Sequence, residues 1–549
     1  MEVDAQMCGS VNLTRADEED RNEILNICKM SNMDLSSFSN FLEAAIHNHE
    51  DMPFKEQIKA AKTELNKANL AKSANERSIK QKVKASNYGF EVITDKLVKF
   101  RGAGGNTQSD KDFKDRTDTD VIIKSWNADN VDEINDQNKS HALLDFQNLQ
   151  PTDTYDHWNL SAEKRVEALN AHFEHFVAKL KTEMNITEFH ELGVTKNDMV
   201  TIVGRLVNTD SDVAFGSNIE LINLSEENDS GMTKVKLNFP EGQAMCFFEG
   251  QIVVLEGTSD YDTFNVISVK ELPIIKPEKQ NNFMGDGALS VFIFNGPYTF
   301  ADSLSYAPLK HIVNMISEQQ PHVVVLGGPF LDLTNELICE GELFYNQDDG
   351  TVNCFEDTEI YGALKTYLDK KVAGLNTKVI IIPSLNDMVS VFPFPQPPLS
   401  KRDTENVYFL PNPARFSING VEFGIVNTDI VRQTLSKSHI VNASKHRLIH
   451  IFEEIIRQKS FFPLYPPKED TPIDISQFKR YEMPHAPDVL VTMSELPMFT
   501  DSIQDKTVFL NPGQVAKGTK RGSYAVVTIN NDSSDTNLKN KVRVDIKNL

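Results

Sequence analysis

The chain has 549 residues, 40% hydrophobic and 25% charged, with a formal net charge of −23; that length exceeds one core and points to about two to four domains. The acidic balance helps keep the chain in solution. It also argues against a protein that grips a phosphate backbone unaided, since such binding draws on clustered Lys and Arg. Cys8, Cys28, Cys246, Cys339 and Cys354 are scattered without a C-x-x-C pair, and no apolar run is long enough to span a bilayer, which argues against a disulfide framework, a zinc module of its own and a membrane partner.

Residues 1–75 read as a small helical module. Thr14 and Asp17 stand at capping-box spacing before Ile24, Ile27 and Cys28, and Phe38, Phe41, Leu42 and Ala45 recur at helical intervals. A terminal bundle of this size is a common tether for other proteins. Residues 76–155 lose apolar periodicity: 77–84 is mildly basic, 101–106 is Gly-rich, and 110–120 alternates charges. The composition predicts a flexible linker, and the basic run has the make-up of a nuclear-localisation patch.

Order returns in residues 156–283. A helix is expected from Ser161 to Thr182 with Val166, Leu169, Phe173, Phe176 and Leu180 on one side. Five short strands follow near 199–207, 219–222, 234–239, 251–257 and 264–269. That rhythm predicts a Greek-key barrel of the OB type. Phe239, Phe247, Phe248, Tyr261 and Phe264 have few Lys or Arg beside them, so a protein-packing barrel is expected rather than a stacking platform for single-stranded DNA.

From 284 to 549, β-branched runs such as 323–326 and 379–382 alternate with helical stretches. Such runs mark strands buried on both faces, hence a layered α/β domain. Ligand groups in such sheets sit just past the carboxyl ends of strands. There the chain places Asn295-Gly296-Pro297-Tyr298, Gly327-Gly328-Pro329-Phe330-Leu331-Asp332, Pro383-Ser384-Leu385-Asn386-Asp387 and Thr492-Met493-Ser494-Glu495-Leu496.

These turns are similar to the motif positions of calcineurin-like metallophosphoesterases, whose pattern reads Asp-x-His, Gly-Asp-x-x-Asp, Gly-Asn-His-Asp, a lone His and Gly-His-x-His. Against that pattern, Asn295 begins a turn with neither Asp nor His, and Gly328 replaces the first acid, leaving Asp332 alone. Leu385 and Asn386 fall where Asn and His belong, before Asp387. Ser494 and Leu496 mark the loss of both final histidines. Two-metal hydrolysis needs carboxylates, Asn and several His around metals about 4 Å apart. His311, His446, His450 and His485 lack ligand spacing. The resemblance implies a vestigial pocket with no catalytic residue, metal or cofactor, in which Asp332 and Asp387 brace loops by accepting backbone N–H bonds. A metal-dependent phosphodiesterase with rearranged ligands is the enzymatic alternative.

Added to Phe462-Pro463-Leu464-Tyr465-Pro466-Pro467, Pro487-Asp488-Val489-Leu490-Val491 and Leu510-Asn511-Pro512-Gly513-Gln514, these motifs resemble the non-catalytic B subunits of DNA polymerase alpha–primase. The order and spacing of the motifs carry the likeness. B subunits of the delta and epsilon polymerases share barrel and vestigial domain, but the Gly-Pro-Tyr-Thr and Pro-Leu-Tyr-Pro-Pro segments favour alpha. The resemblance implies a multidomain α+β protein: helical module, OB-type barrel and inactive phosphoesterase-like domain. It implies a nuclear scaffold that keeps the primase subunits next to the polymerase by holding the C-terminal region of the polymerase catalytic subunit. The N-terminal module would recruit other replication factors, and DNA contact would be indirect or weak.

Overall fold

A computed structural model of the chain describes residues 88–100, 107–135, 139, 144–151, 155, 161–208, 218–223, 233–276, 287–341, 343–346, 352–442, 446–530 and 538–549. The expected helical module at 1–75, with Thr14, Asp17 and both apolar stripes, lies outside them.

The stretch expected to be a linker is built into the fold over much of its described length. Helix α1 (Phe90–Phe100) buries Phe90, Ile93 and Leu97, and α2 (Gln108–Lys114) is held by a Thr107–Asp110 capping box. Strand β1 (Ile122–Trp126) pairs with residues 544–547, and β2 (Phe146–Asn148) with residues 416–418. The reason for the difference is physical. Each element is short and finds its partners hundreds of residues away, so local composition carries little of the stabilisation.

Helix α3 (Ala162–Glu183) starts at the Ser161 cap. Phe173, Phe176 and Leu180 pack on Val203, Ile252 and Val254, whereas Val166, expected on the same buried side, is 50% exposed. The barrel comprises β3 (Lys196–Asn208), β4 (Ile219–Asn223), β5 (Thr233–Asn238), β7 (Ile252–Ser259) and β8 (Thr263–Lys270), closed in the order β3-β4-β5-β8-β7. Ile202, Leu206, Leu221, Val235, Leu255 and Phe264 fill it. Inserted before β7, β6 (Met245–Phe248) pairs outside the barrel.

The remaining chain forms two sheets. Strands β9 (Ala288–Asn295) and β10 (Val323–Gly327) flank α4 (Ala307–Gln319). After α5 (Glu336–Cys339), the ribbon β11 (Phe344–Asn346) and β12 (Val352–Cys354), and α6 (Asp357–Val372), come β13 (Lys378–Ile382) and β14 (Val407–Phe409). These four strands run parallel as β9-β10-β13-β14. The second sheet takes β15 (Ala414–Ile418) and β16 (Val421–Val426), then, beyond α7 (Ile430–Ser436), β17 (Ser438–Val441) and α8 (Arg447–Arg457), β18 (Val489–Thr492), β19 (Phe499–Ile503) and β20 (Thr507–Asn511). Its order is β19-β20-β18-β16-β15-β2, and β17 instead pairs with β6. A small ribbon, β21 (Ala516–Lys517) and β22 (Lys520–Arg521), precedes β23 (Ser523–Asn530) and β24 (Val542–Asn548), which extend the first sheet toward β1.

The sheets face each other through Val291, Val325, Ile380, Phe423, Val491 and Leu510. Outward residues of the first sheet meet α1, α4 and α6; those of the second meet α8 through Ile451, Phe452 and Phe509. This four-layer stacking buries both faces of the central strands, as their β-branched runs require.

Barrel and sandwich share a polar seam. Gln458 Oε1 accepts the Ile252 N–H at 2.9 Å, and its Nε2 donates to the Ile252 carbonyl at 2.8 Å. Gln251 Nε2 donates to Glu454 at 2.7 Å, and Lys276 pairs with Asp488 at 2.7 Å. Gly250 sits at φ +88° against Tyr465, whose backbone N and O would lie 2.4 Å from an added β-carbon.

Candidate functional site

Parallel strands in both sheets deliver their carboxyl ends to one place. Three of them end in asparagine or lead directly into it: Asn295 ends β9, Asn427 follows β16 and Asn511 ends β20. The β10 turn lies between its neighbours, with the Gly296 N–H donating to the Gly327 carbonyl at 2.9 Å and the Gly328 N–H to the Ile382 carbonyl at 2.8 Å. Tyr298 and Tyr306 hydroxyls donate to the Gly327 and Phe330 carbonyls at 3.0 and 2.9 Å.

Asp387 is the centre of this arrangement. Its Oδ1 accepts the N–H groups of Phe330 at 2.5 Å and Leu331 at 3.1 Å, and its Oδ2 that of Ser384 at 3.4 Å. One carboxylate thus ties the β10 turn to the β13 turn. Burial pushes the carboxyl up to about 7, while the Phe330, Leu331 and Ser384 N–H groups pull it down. Burial likewise raises the tyrosines at 298, 306 and 361, with nearby Asp387 adding to the shift.

Asp332 does local work. Its Oδ1 accepts the Thr334 N–H at 2.9 Å and hydroxyl at 2.8 Å, and burial raises its pKa against those bonds. Asn386 contributes its main chain, its carbonyl accepting the Leu333 N–H at 2.9 Å. Leu385 and Leu496 pack partly buried against the core under α8. Ser494 donates its hydroxyl to Asp429 and its N–H to Asn511 Oδ1 at 3.3 Å.

The β10 turn is closely packed at both of its glycines. A β-carbon on Gly328 would lie 2.1 Å from Asp387 Oδ2, and one on Gly327 2.1 Å from Met493 Sδ. Among the described residues, no group of three His, Cys, Asp or Glu side chains gathers to hold a metal ion. His446 caps α8, and His485 bonds Glu422 at 2.5 Å.

Sequence reasoning missed the residues that join the sheets. Asn427 Nδ2 donates to the Gly328 carbonyl at 3.0 Å and the Pro383 carbonyl at 3.1 Å. Its own main chain is held by Asn412, whose Oδ1 accepts the Asn427 N–H and whose Nδ2 donates to the Asn427 carbonyl, both at 2.9 Å. Gln396 accepts from the same Asn412 amide at 2.9 Å. The available signal was Asn412 lodged between Pro411 and Pro413, and an asparagine directly after the apolar run 421–426.

Comparison with known proteins divides along the same parts. The family model for the OB domain of the DNA polymerase alpha B subunit matches residues 166–272, and that for the B subunit of DNA polymerases alpha and epsilon matches residues 291–501. The chain resembles the B subunits of DNA polymerase alpha. The B subunit of mouse DNA polymerase alpha is 30% identical over 370 residues, covering 65% of this chain and 59% of the relative. Its counterpart in Schizosaccharomyces pombe is 27% identical over 388 residues, 66% of each chain. That of Saccharomyces cerevisiae is 26% identical over 475 residues, 74% of this chain and 66% of its own. This chain therefore spans less than two thirds of the mouse relative. Gly328, Asp332, Asp387 and Ser494 all fall inside the second family match. No helix among the described residues is long and apolar enough to cross a membrane.

Proposed function

We propose that the chain is a non-catalytic B subunit of DNA polymerase alpha–primase, acting in the nucleus as a scaffold. Its α/β sandwich is read as a phosphoesterase frame whose pocket has been closed. The single observation carrying the non-catalytic reading is Asp387, which fills the space beside Gly328 and spends its carboxylate on main-chain N–H groups. A carboxylate so engaged has few lone pairs left for a metal.

In this role the barrel and sandwich, locked by the Gln458–Ile252 and Lys276–Asp488 contacts, present one rigid surface to the C-terminal region of the polymerase catalytic subunit. Holding polymerase beside primase raises the effective concentration of one active site near the product of the other, so a primer passes to extension without free diffusion. The N-terminal module would recruit further replication factors, and DNA contact is indirect or weak, in keeping with the net charge of −23.

Co-purification of the tagged full-length chain from native extract tests the reading: polymerase catalytic subunit and both primase subunits are the expected companions. Their absence would overturn it. Hydrolysis of a generic phosphodiester with manganese, lost in Asp332→Ala, would instead establish the phosphodiesterase alternative.

A further inference from the structure

Beyond the loops at the strand ends, Leu496 and the residues that follow it to Phe499 form a wall of a cleft of about 530 Å³. Leu435 from α7, Leu448 from α8, and Leu496, Met498 and Phe499 from the stretch entering β19 supply its apolar lining. Three of these side chains, Leu435, Leu448 and Leu496, rest one side on the core under α8 and remain partly accessible on the other. The apolar floor of the cleft is thus continuous with that core.

Its rim has a distinct charge. Arg447 is exposed at the start of α8 and forms no ion pair with a described residue. Glu495, adjacent in sequence to the lining residue Leu496, pairs with Arg432 at 2.7 Å, and Asp429 takes the Ser494 hydroxyl. On a chain with a net charge of −23, the rim therefore keeps a local cationic group above an apolar floor. Apolar anchors seated in a pocket with a charged rim contact are the usual anatomy of short-segment recognition.

We propose that this cleft docks a short acidic segment of a partner protein, one leucine or phenylalanine filling the apolar floor while a carboxylate meets Arg447. The cleft binds in this way whether or not the chain serves a polymerase complex, so the two readings fail separately.

Fluorescence anisotropy on the full chain tests it with a fluorescein-labelled peptide Asp-Glu-Leu-Leu-Asp-Phe, a Lys-for-acid version and a Ser-for-Leu version. The acidic apolar peptide should bind with a Kd of about 10–100 µM, and Arg447→Glu should weaken it about tenfold. Leu496→Ser, with folding checked by circular dichroism, should weaken it as well, and both control peptides should bind poorly. Equal binding of the Lys version, or binding untouched by Arg447→Glu and Leu496→Ser, overturns the proposal. So does concentration-dependent dimerisation abolished by Arg447→Glu in sedimentation, which would assign the cleft to a second copy of the chain.

Discussion

Asp387 occupies the space that a side chain at Gly328 would need: its Oδ2 lies 2.1 Å from where a β-carbon would stand. Placing an acid there with Gly328→Asp therefore forces two carboxylates into one buried volume. Overpacking and like-charge repulsion should lower stability by about 2–4 kcal/mol, measured by urea denaturation. Calorimetric titration with manganese should show no saturable binding; tight stoichiometric uptake would mean that the pocket can be rebuilt and is not closed.

The Asp387 brace has a pH signature. Its carboxyl is pushed to about 7 in the fold from an ordinary value of 3.8, so the folded state holds this proton more firmly than the unfolded chain. Its contribution is fully present below about 4 and is lost as pH rises through about 7. Asp387→Asn keeps an acceptor for the Phe330 and Leu331 N–H groups and removes the titration. Stability of the wild type should fall relative to Asp387→Asn between these pH values, and parallel profiles would exclude the effect. Asp387→Ala strands both N–H groups and should cost about 2–5 kcal/mol.

The seam between barrel and sandwich rests on few side chains. Gln458→Ala leaves the Ile252 N–H and carbonyl without their partner, both at sites buried in the fold. The expected loss is about 1–3 kcal/mol. Gly250→Ala meets the Tyr465 backbone at 2.4 Å from a φ of +88° and should cost at least as much. Denaturation curves of the two variants that overlay the wild type would show that the seam contributes little.

Residues 90–97 belong to the fold rather than to a tether. Ile93 is 0% exposed and Leu97 1%, and Phe90 packs edge-on to Tyr306 at 5.2 Å. Ile93→Ala should destabilise the chain by about 2–4 kcal/mol, whereas a true linker would tolerate it within about 0.5 kcal/mol. Thermal melts of the purified chain distinguish these outcomes.

Local pattern determined much of this molecule. Alternation and turn residues were enough to place the five barrel strands, because a half-buried strand repeats every two residues. Continuous apolar runs such as 323–326 located the central strands, and turn composition drew attention to Gly328, Asp332 and Asp387. Tertiary structure decided what those turns do. Asp387 reaches back across 56 residues to the Leu331 N–H, Asn427 across 99 to the Gly328 carbonyl, and β1 finds its partner strand at the other end of the chain. Such bonds depend on which strand ends meet, a property of sheet order rather than of neighbouring residues. The same cause hid the folded part of the stretch expected to be a linker. Sequence alone thus singled out these turns, while the joining of strand ends revealed a carboxylate that ties two of them together.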